Sequence, residues 1–359
     1  MAELFRFEIS KIFRKKLVLF SVLGVLAFSG MMIISWGVNA YPIQGTDVMK
    51  HYTRKEAQKM NRDFLRQYQG KLTDEKVKAI IDSCRRKAEN DEPRTYTELM
   101  IQKIFLDDND QIRKVSEVFP EIGNQLVLGD VMGWDFFNYA FTSNVLIIGI
   151  GLIILLSPLF SDEYTTGMDG MILTSKYGKN KCAIAKVGAG FMTAIILTFV
   201  IILMYVLSFL ILFGTAGYDA HMQLAMRGMY QQVPVLTTCL QAVIQTMTAS
   251  VFSLLILAGM VMLISALCKS SFTTIILSAA VYFIPMFFTG KENMNLMRII
   301  ELFPIRMPRI FIFDKILGGL EIYSFQIPLT ACMGIMAIVT FVGVFFLGKR
   351  IFAKHQVIS

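Results

Sequence analysis

The side chains best equipped for chemistry stand together in a polar island, Phe160 to Lys186, between two long apolar runs. The island opens with Asp162 and Glu163, passes Gly167 and Gly170, and closes with Lys176, Lys179, Lys181 and Lys186. Adjacent carboxylates can act as general acids or bases when a cleft desolvates them. In a polar connection beside lysines, solvated or partner-facing carboxylates are the expectation. A second group is Gln241, Gln245 and Thr248, spaced i, i+4 and i+7 within an apolar run. That spacing makes one helical stripe polar, and unpaired amides facing lipid are costly. The stripe is therefore expected to face a substrate cavity, a second subunit, or another helix to which it hydrogen-bonds structurally.

Other catalytic and ligand patterns are missing. No G-x-x-x-x-G-K-[ST] phosphate cradle occurs; Gly178-Lys179-Asn180 and Gly348-Lys349-Arg350 lack both the hydroxyl and the glycine frame. The chain is therefore not expected to bind ATP by a P-loop. There is no G-x-S-x-G elbow, and His51, His221 and His355 lie far apart without metal-ligand spacing. Cys84, Cys182, Cys239, Cys268 and Cys332 show no C-x-x-C pair. No acidic residue is expected inside a span, as proton-coupled carriers require. An enzyme is not expected, and neither a metal nor a cofactor is assigned to this chain.

These residues must be held by membrane helices. The 359 residues are 55% hydrophobic and 17% charged, with mean hydropathy +0.56. The formal charge of +8 suggests nucleic acid only superficially, because many lysines and arginines flank apolar spans. Residues 2–16 set Phe5, Ile9, Ile12 and Phe13 opposite Arg6, Lys11, Arg14, Lys15 and Lys16, predicting an amphipathic helix on the inner membrane surface. Leu17 to Val38 is 22 mostly apolar residues, enough to span. Val38-Asn39-Ala40 resembles a signal-peptidase site, but the apolar run exceeds the usual signal core. Further spans are expected at about 138–160, 187–213, 240–267, 272–288 with a kink at Pro285, and 327–347.

Residues 39–137 form a polar region with 16 Lys or Arg and 17 Asp or Glu. Thr53-x-x-Glu56 and Thr95-x-x-Glu98 are capping boxes, and apolar periodicity predicts four helices, the last around Ile112 to Phe119. Residues 290–326, broken by Pro304 and Pro308, read as short amphipathic or re-entrant helices. Trp36, Tyr41, Trp134 and Tyr139 mark the outer interface at both ends of the polar region. With the N-terminus inside, the inner segments hold 13 Lys and Arg and the short outer loops 6, which predicts both termini in the cytoplasm. The expected fold is an all-α polytopic membrane protein in three parts: 1–38, an interfacial helix and first span; 39–137, an extracytoplasmic helical domain; 138–359, spans two to six.

Between spans two and three, Glu163-x-x-x-Gly167, then Leu173, Thr174 and Ser175, then a basic return, resemble the coupling segment of ABC-2 type transporter permeases. Lys176 and Tyr177 stand where that family often carries a proline. The six-span layout resembles the family over nearly the whole chain, and the long insertion resembles its larger bacterial members, several of which export or give immunity to antimicrobial peptides. The resemblance implies a permease subunit in the plasma membrane that pairs with a second, identical or related, permease subunit. It also implies separate ATP-binding cassette subunits that hold the ATP and Mg. Coupling would fall on Glu163, Gly167, Leu173, Thr174 and Ser175, and the cavity wall on Gln241, Gln245 and Thr248. Another reading is a membrane-anchored sensor or assembly scaffold working through residues 39–137. Membrane lipid is a partner under either, and nucleic acid under neither.

Overall fold

The computed structural model describes residues 2–37, 54–174, 181–227, 229–288, 293–323, 325–348 and 350–351. It is almost entirely helical: α1 Ala2–Phe13, α2 Lys16–Gly37, α3 Arg54–Tyr68, α4 Asp74–Glu89, α5 Tyr96–Phe105, α6 Val115–Val118, α7 Met132–Leu156, α8 Pro158–Thr165, α9 Met168–Thr174, α10 Ala183–Leu212, α11 Cys239–Leu267, α12 Ser271–Phe283, α13 Met294–Glu301, α14 Ile310–Leu317 and α15 Leu329–Gly343. Two small antiparallel ladders complete it, β1 Gly70–Lys71 with β2 Val127–Leu128, and β3 Leu320–Ile322 with β4 Phe325–Ile327. Among the described residues, five helices are long and apolar enough to cross a membrane: Lys16–Ser35, Met132–Thr165, Ala183–Leu212, Cys239–Leu267 and Leu329–Gly348. That is the pattern of a multi-pass membrane protein. The predicted fifth span is the shorter apolar stretch Ser271–Phe287, in which α12 gives way to a 3-10 turn at Ile284–Phe287 around Pro285.

Two compact units divide the chain. The first comprises residues 1–30, 142–204 and 247–359. Its helices approach closely through small residues: a Cβ added at Gly149 would lie 2.4 Å from the Tyr282 hydroxyl oxygen. Ser29 accepts a buried hydrogen bond from the Asn144 amide at 2.8 Å, tying α2 to α7. The second unit comprises residues 31–141 and 205–246, so the polar region shares its core with the connection after α10. Val77, Ile80 and Ile81 of α4 bury against Met100, Ile101 and Phe105 of α5. The α5 capping box forms as the sequence predicts, with Thr95 and Glu98 satisfying each other's backbone N–H groups. The Thr53 cap of α3 lies outside the described residues.

Three expectations change. The predicted fourth helix of the polar region is the single turn α6, because Ile112 pairs instead with Leu106 in a β-bridge. The re-entrant segment does form α13 and α14, but it continues into the β3–β4 hairpin, whose turn holds Tyr323 at φ 54°. The inward face of α1 is not purely apolar: Ile12 is buried, but so is Glu8, while Phe13 is exposed.

Candidate functional site

The polar island begins as helix. Pro158 has no N–H and sits in the first turn of α8, where the chain leaves α7 through Ser157. The break is repaired from α11. The Ser265 hydroxyl oxygen accepts from the N–H groups of Phe160 and Ser161, at 3.1 and 3.2 Å, and donates to the Ser157 carbonyl at 2.6 Å. With its backbone satisfied, α8 runs on to Thr165 and carries both carboxylates into packed surroundings.

Glu163 is therefore not the solvated carboxylate expected of a loop, nor do acidic residues stay clear of the apolar helices. It is 1% exposed, within the apolar helix pair Met132–Thr165. One of its oxygens, Oε1, receives both Lys186 Nζ of α10 and Lys11 Nζ of α1 at 2.5 Å. Lys186 Nζ also reaches Glu8 Oε2 at 2.9 Å and the Leu159 carbonyl at 3.4 Å. Two glutamates and two lysines thus make a neutral lattice joining α1, α8 and α10. Fully buried charges persist only when paired in this way. Asp162, partly exposed, binds Lys15 on one oxygen and accepts from the Ser271 hydroxyl on the other at 2.8 Å, which adds the start of α12. The Tyr164 hydroxyl donates to the Ala266 carbonyl at 3.1 Å, and Thr165 to the Lys269 carbonyl at 3.0 Å. Beside the lattice, burial pushes the Cys182 thiol up to about 11. It is a protonated donor, 3.7 Å from Glu8.

Gly167 ends α8 with φ +67°, and its N–H bonds the Tyr164 carbonyl at 3.3 Å. This left-handed turn, which glycine adopts without strain, reverses the chain into α9. The four-residue step from Glu163 to Gly167 thus places a buried anchor one turn before the bend. Leu173 and Thr174 lie in α9, and Thr174 returns its hydroxyl to the Gly170 carbonyl at 3.0 Å. Ser175, Lys176 and Tyr177 lie outside the described residues. Lys186, which reads in the sequence as part of a basic return, is a fully buried residue of α10.

The second candidate group does not join this lattice. Gln241 and Thr248 are exposed on α11, and Gln245 has its Oε1 buried without a hydrogen-bond partner. The inward polar face of the same helix is Thr246, Ser250 and Ser253; the Ser253 hydroxyl donates to the Pro304 carbonyl at 2.5 Å. No metal-binding cluster of His, Cys, Asp or Glu occurs among the described residues. No known family model matches this chain, and no curated protein does.

Proposed function

We propose that this chain is the membrane-spanning permease subunit of an ABC-2 type ABC transporter, exporting a substrate by alternating access. The single observation that carries the reading is the buried lattice around Glu163. The resemblance assigns the segment Glu163 to Ser175 to force reception, and Glu163 is bonded at once to α10 and α1. A push on α8 and α9 therefore moves α1 and α10 with them, because separating them would strand buried charge. ATP and Mg bind to a separate ATP-binding cassette subunit, and this chain supplies no catalytic group.

Six spans follow if Ser271–Phe287 crosses as well. Its 17 residues lie at the short end of what spans a bilayer. Both termini then share the cytoplasmic side, and residues 39–137 lie outside it. The exposed Gln241 and Thr248, with the unpartnered Gln245 oxygen, suit a surface that a second permease subunit covers and that lines the cavity between the two. The insertion favours bacterial exporters of antimicrobial peptides.

The test is reconstitution of the permease with its ATPase. Glu163→Gln should leave the complex assembled and abolish transport-coupled ATP hydrolysis. Wild-type coupling in that variant would remove force transfer through Glu163. A chain that functions with no ATPase would favour the sensor or scaffold reading.

A further inference from the structure

Within the second unit, Ile33 of α2, Phe137 and Ala140 of α7, and Tyr205, Phe209 and Phe213 at the end of α10 line an open apolar trough. The wall contains no ionisable carboxylate or amine. Met31, Ile34, Leu207 and Ile211 around it are exposed apolar side chains on helices that cross the membrane, so the trough opens toward hydrocarbon and not water. Helix α3 lies over its polar end. The Gln58 amide donates to the Leu212 carbonyl at 2.9 Å, and Arg62 Nη2 donates to the Phe213 carbonyl at 3.0 Å. The Leu212 carbonyl ends α10 and the Phe213 carbonyl follows it directly, where the chain leaves the apolar layer.

That overlying helix is basic. α3 carries five Lys or Arg and two Asp or Glu, and Lys55, Lys59, Arg62 and Arg66 recur at spacings of three and four, all exposed. Arg62 has Asp130 near its Nε at 3.5 Å, and Arg66 has Asp63 at 3.3 Å. Lys55 and Lys59 add positive charge, and among the described residues no carboxylate forms an ion pair with either. An apolar channel at the hydrocarbon edge, capped by a basic stripe at headgroup level, has the polarity of one kind of molecule. We infer that the trough holds an acyl chain of an anionic phospholipid whose phosphate sits against Arg62 and Lys59. The lipid would pin α3 to the end of α10 and stabilise the second unit where it meets the bilayer. The site is separate from the lattice around Glu163 and does not depend on the transport reading.

The protein carries its own reporter. It has two tryptophans, Trp36 and Trp134, and the Trp134 ring is 4.8 Å from that of Phe209 in the trough wall, held by a 2.7 Å bond from its Nε1 to the Ala216 carbonyl. In full-length Trp36→Phe protein in phosphatidylcholine nanodiscs, Trp134 emission is titrated with phosphatidylglycerol or phosphatidylcholine brominated on the acyl chain. The expected result is half-quenching by the brominated phosphatidylglycerol at a roughly fivefold lower mole fraction, the gain from one basic residue near a charged headgroup. Lys59→Gln with Arg62→Gln, on exposed side chains, should bring the two curves together. Ala140→Leu should lower maximal quenching by both lipids. Coincident curves in the parent protein would overturn the inference. So would a phosphatidylglycerol preference that survives loss of both basic residues, or quenching indifferent to a filled trough.

Discussion

Replacing Lys186 by methionine removes one ammonium and leaves a side chain of similar length. In the structure that ammonium lies 2.9 Å from Glu8 and 2.5 Å from Glu163, with all three side chains at most 5% exposed. Glu163 would keep Lys11, whereas Glu8 would retain, among the described residues, only the weak thiol donor of Cys182. Breaking a buried pair by deleting one partner costs about 3–5 kcal/mol, since the surviving charge stays desolvated. Lys186→Met should therefore lower stability by about that much. Adding Glu8→Gln, which neutralises the stranded charge, should recover most of the loss and give a coupling energy above about 1.5 kcal/mol in the double-mutant cycle. The assay is denaturant-induced unfolding in lipid nanodiscs, with hydrogen exchange of α1 as the local readout. Exchange should rise in α1 before the bundle opens. A near-neutral Lys186→Met, or two substitutions that simply add, would refute the lattice as the link between α1, α8 and α10.

Further substitutions probe the elements around it. Ser265→Ala should destabilise by about 1–3 kcal/mol, because the Phe160 and Ser161 N–H groups lose their acceptor; thermal unfolding checks this. Gly167→Ala forces a Cβ into a left-handed turn and should cost about 1–2 kcal/mol, with Gly167→Asn milder; a wild-type melting curve for the alanine variant would contradict the turn assignment. Gly217→Ala should be worse, since φ is +74° and the added Cβ would lie 2.2 Å from the Asp130 carbonyl oxygen. Burial raises the Glu301 carboxyl above its usual range against the opposing pull of Arg306 and Arg309. A raised pKa means that the folded state binds the proton more tightly, so stability rises as pH falls from neutral toward the unfolded value near 4.5. Glu301→Gln should flatten that part of the pH–stability curve, measured against wild type between pH 7 and 5.

Much of the scaffold is legible in the sequence because membrane helices announce themselves locally. Leu17 to Val38 reads as a span from composition alone, and Thr95 with Glu98 mark a helix start through a contact three residues long. The chemistry of the island is less legible. Lys186 reads as a flanking positive charge because its partner Glu8 is 178 residues away, and no periodicity links them. The repair of the Pro158 break depends on Ser265, 108 residues beyond the Ser157 carbonyl it bonds. The β3–β4 hairpin was hidden for another reason: Gly318 and Gly319 precede two strands of three residues, too short for an alternating pattern to stand out. Gly167 stands out in the sequence only through the resemblance, as the end of the Glu163-x-x-x-Gly167 step, and its φ of 67° gives a local reason for a glycine at that position.

The most direct test of the proposed transport role is ATP hydrolysis by the affinity-purified complex from native membranes, with and without Glu163→Gln in this chain. A separate P-loop polypeptide should co-purify with both proteins. Its vanadate-sensitive hydrolysis should respond to substrate only when Glu163 is intact. Purification with no ATP-binding partner, or equal substrate response in both complexes, would contradict it.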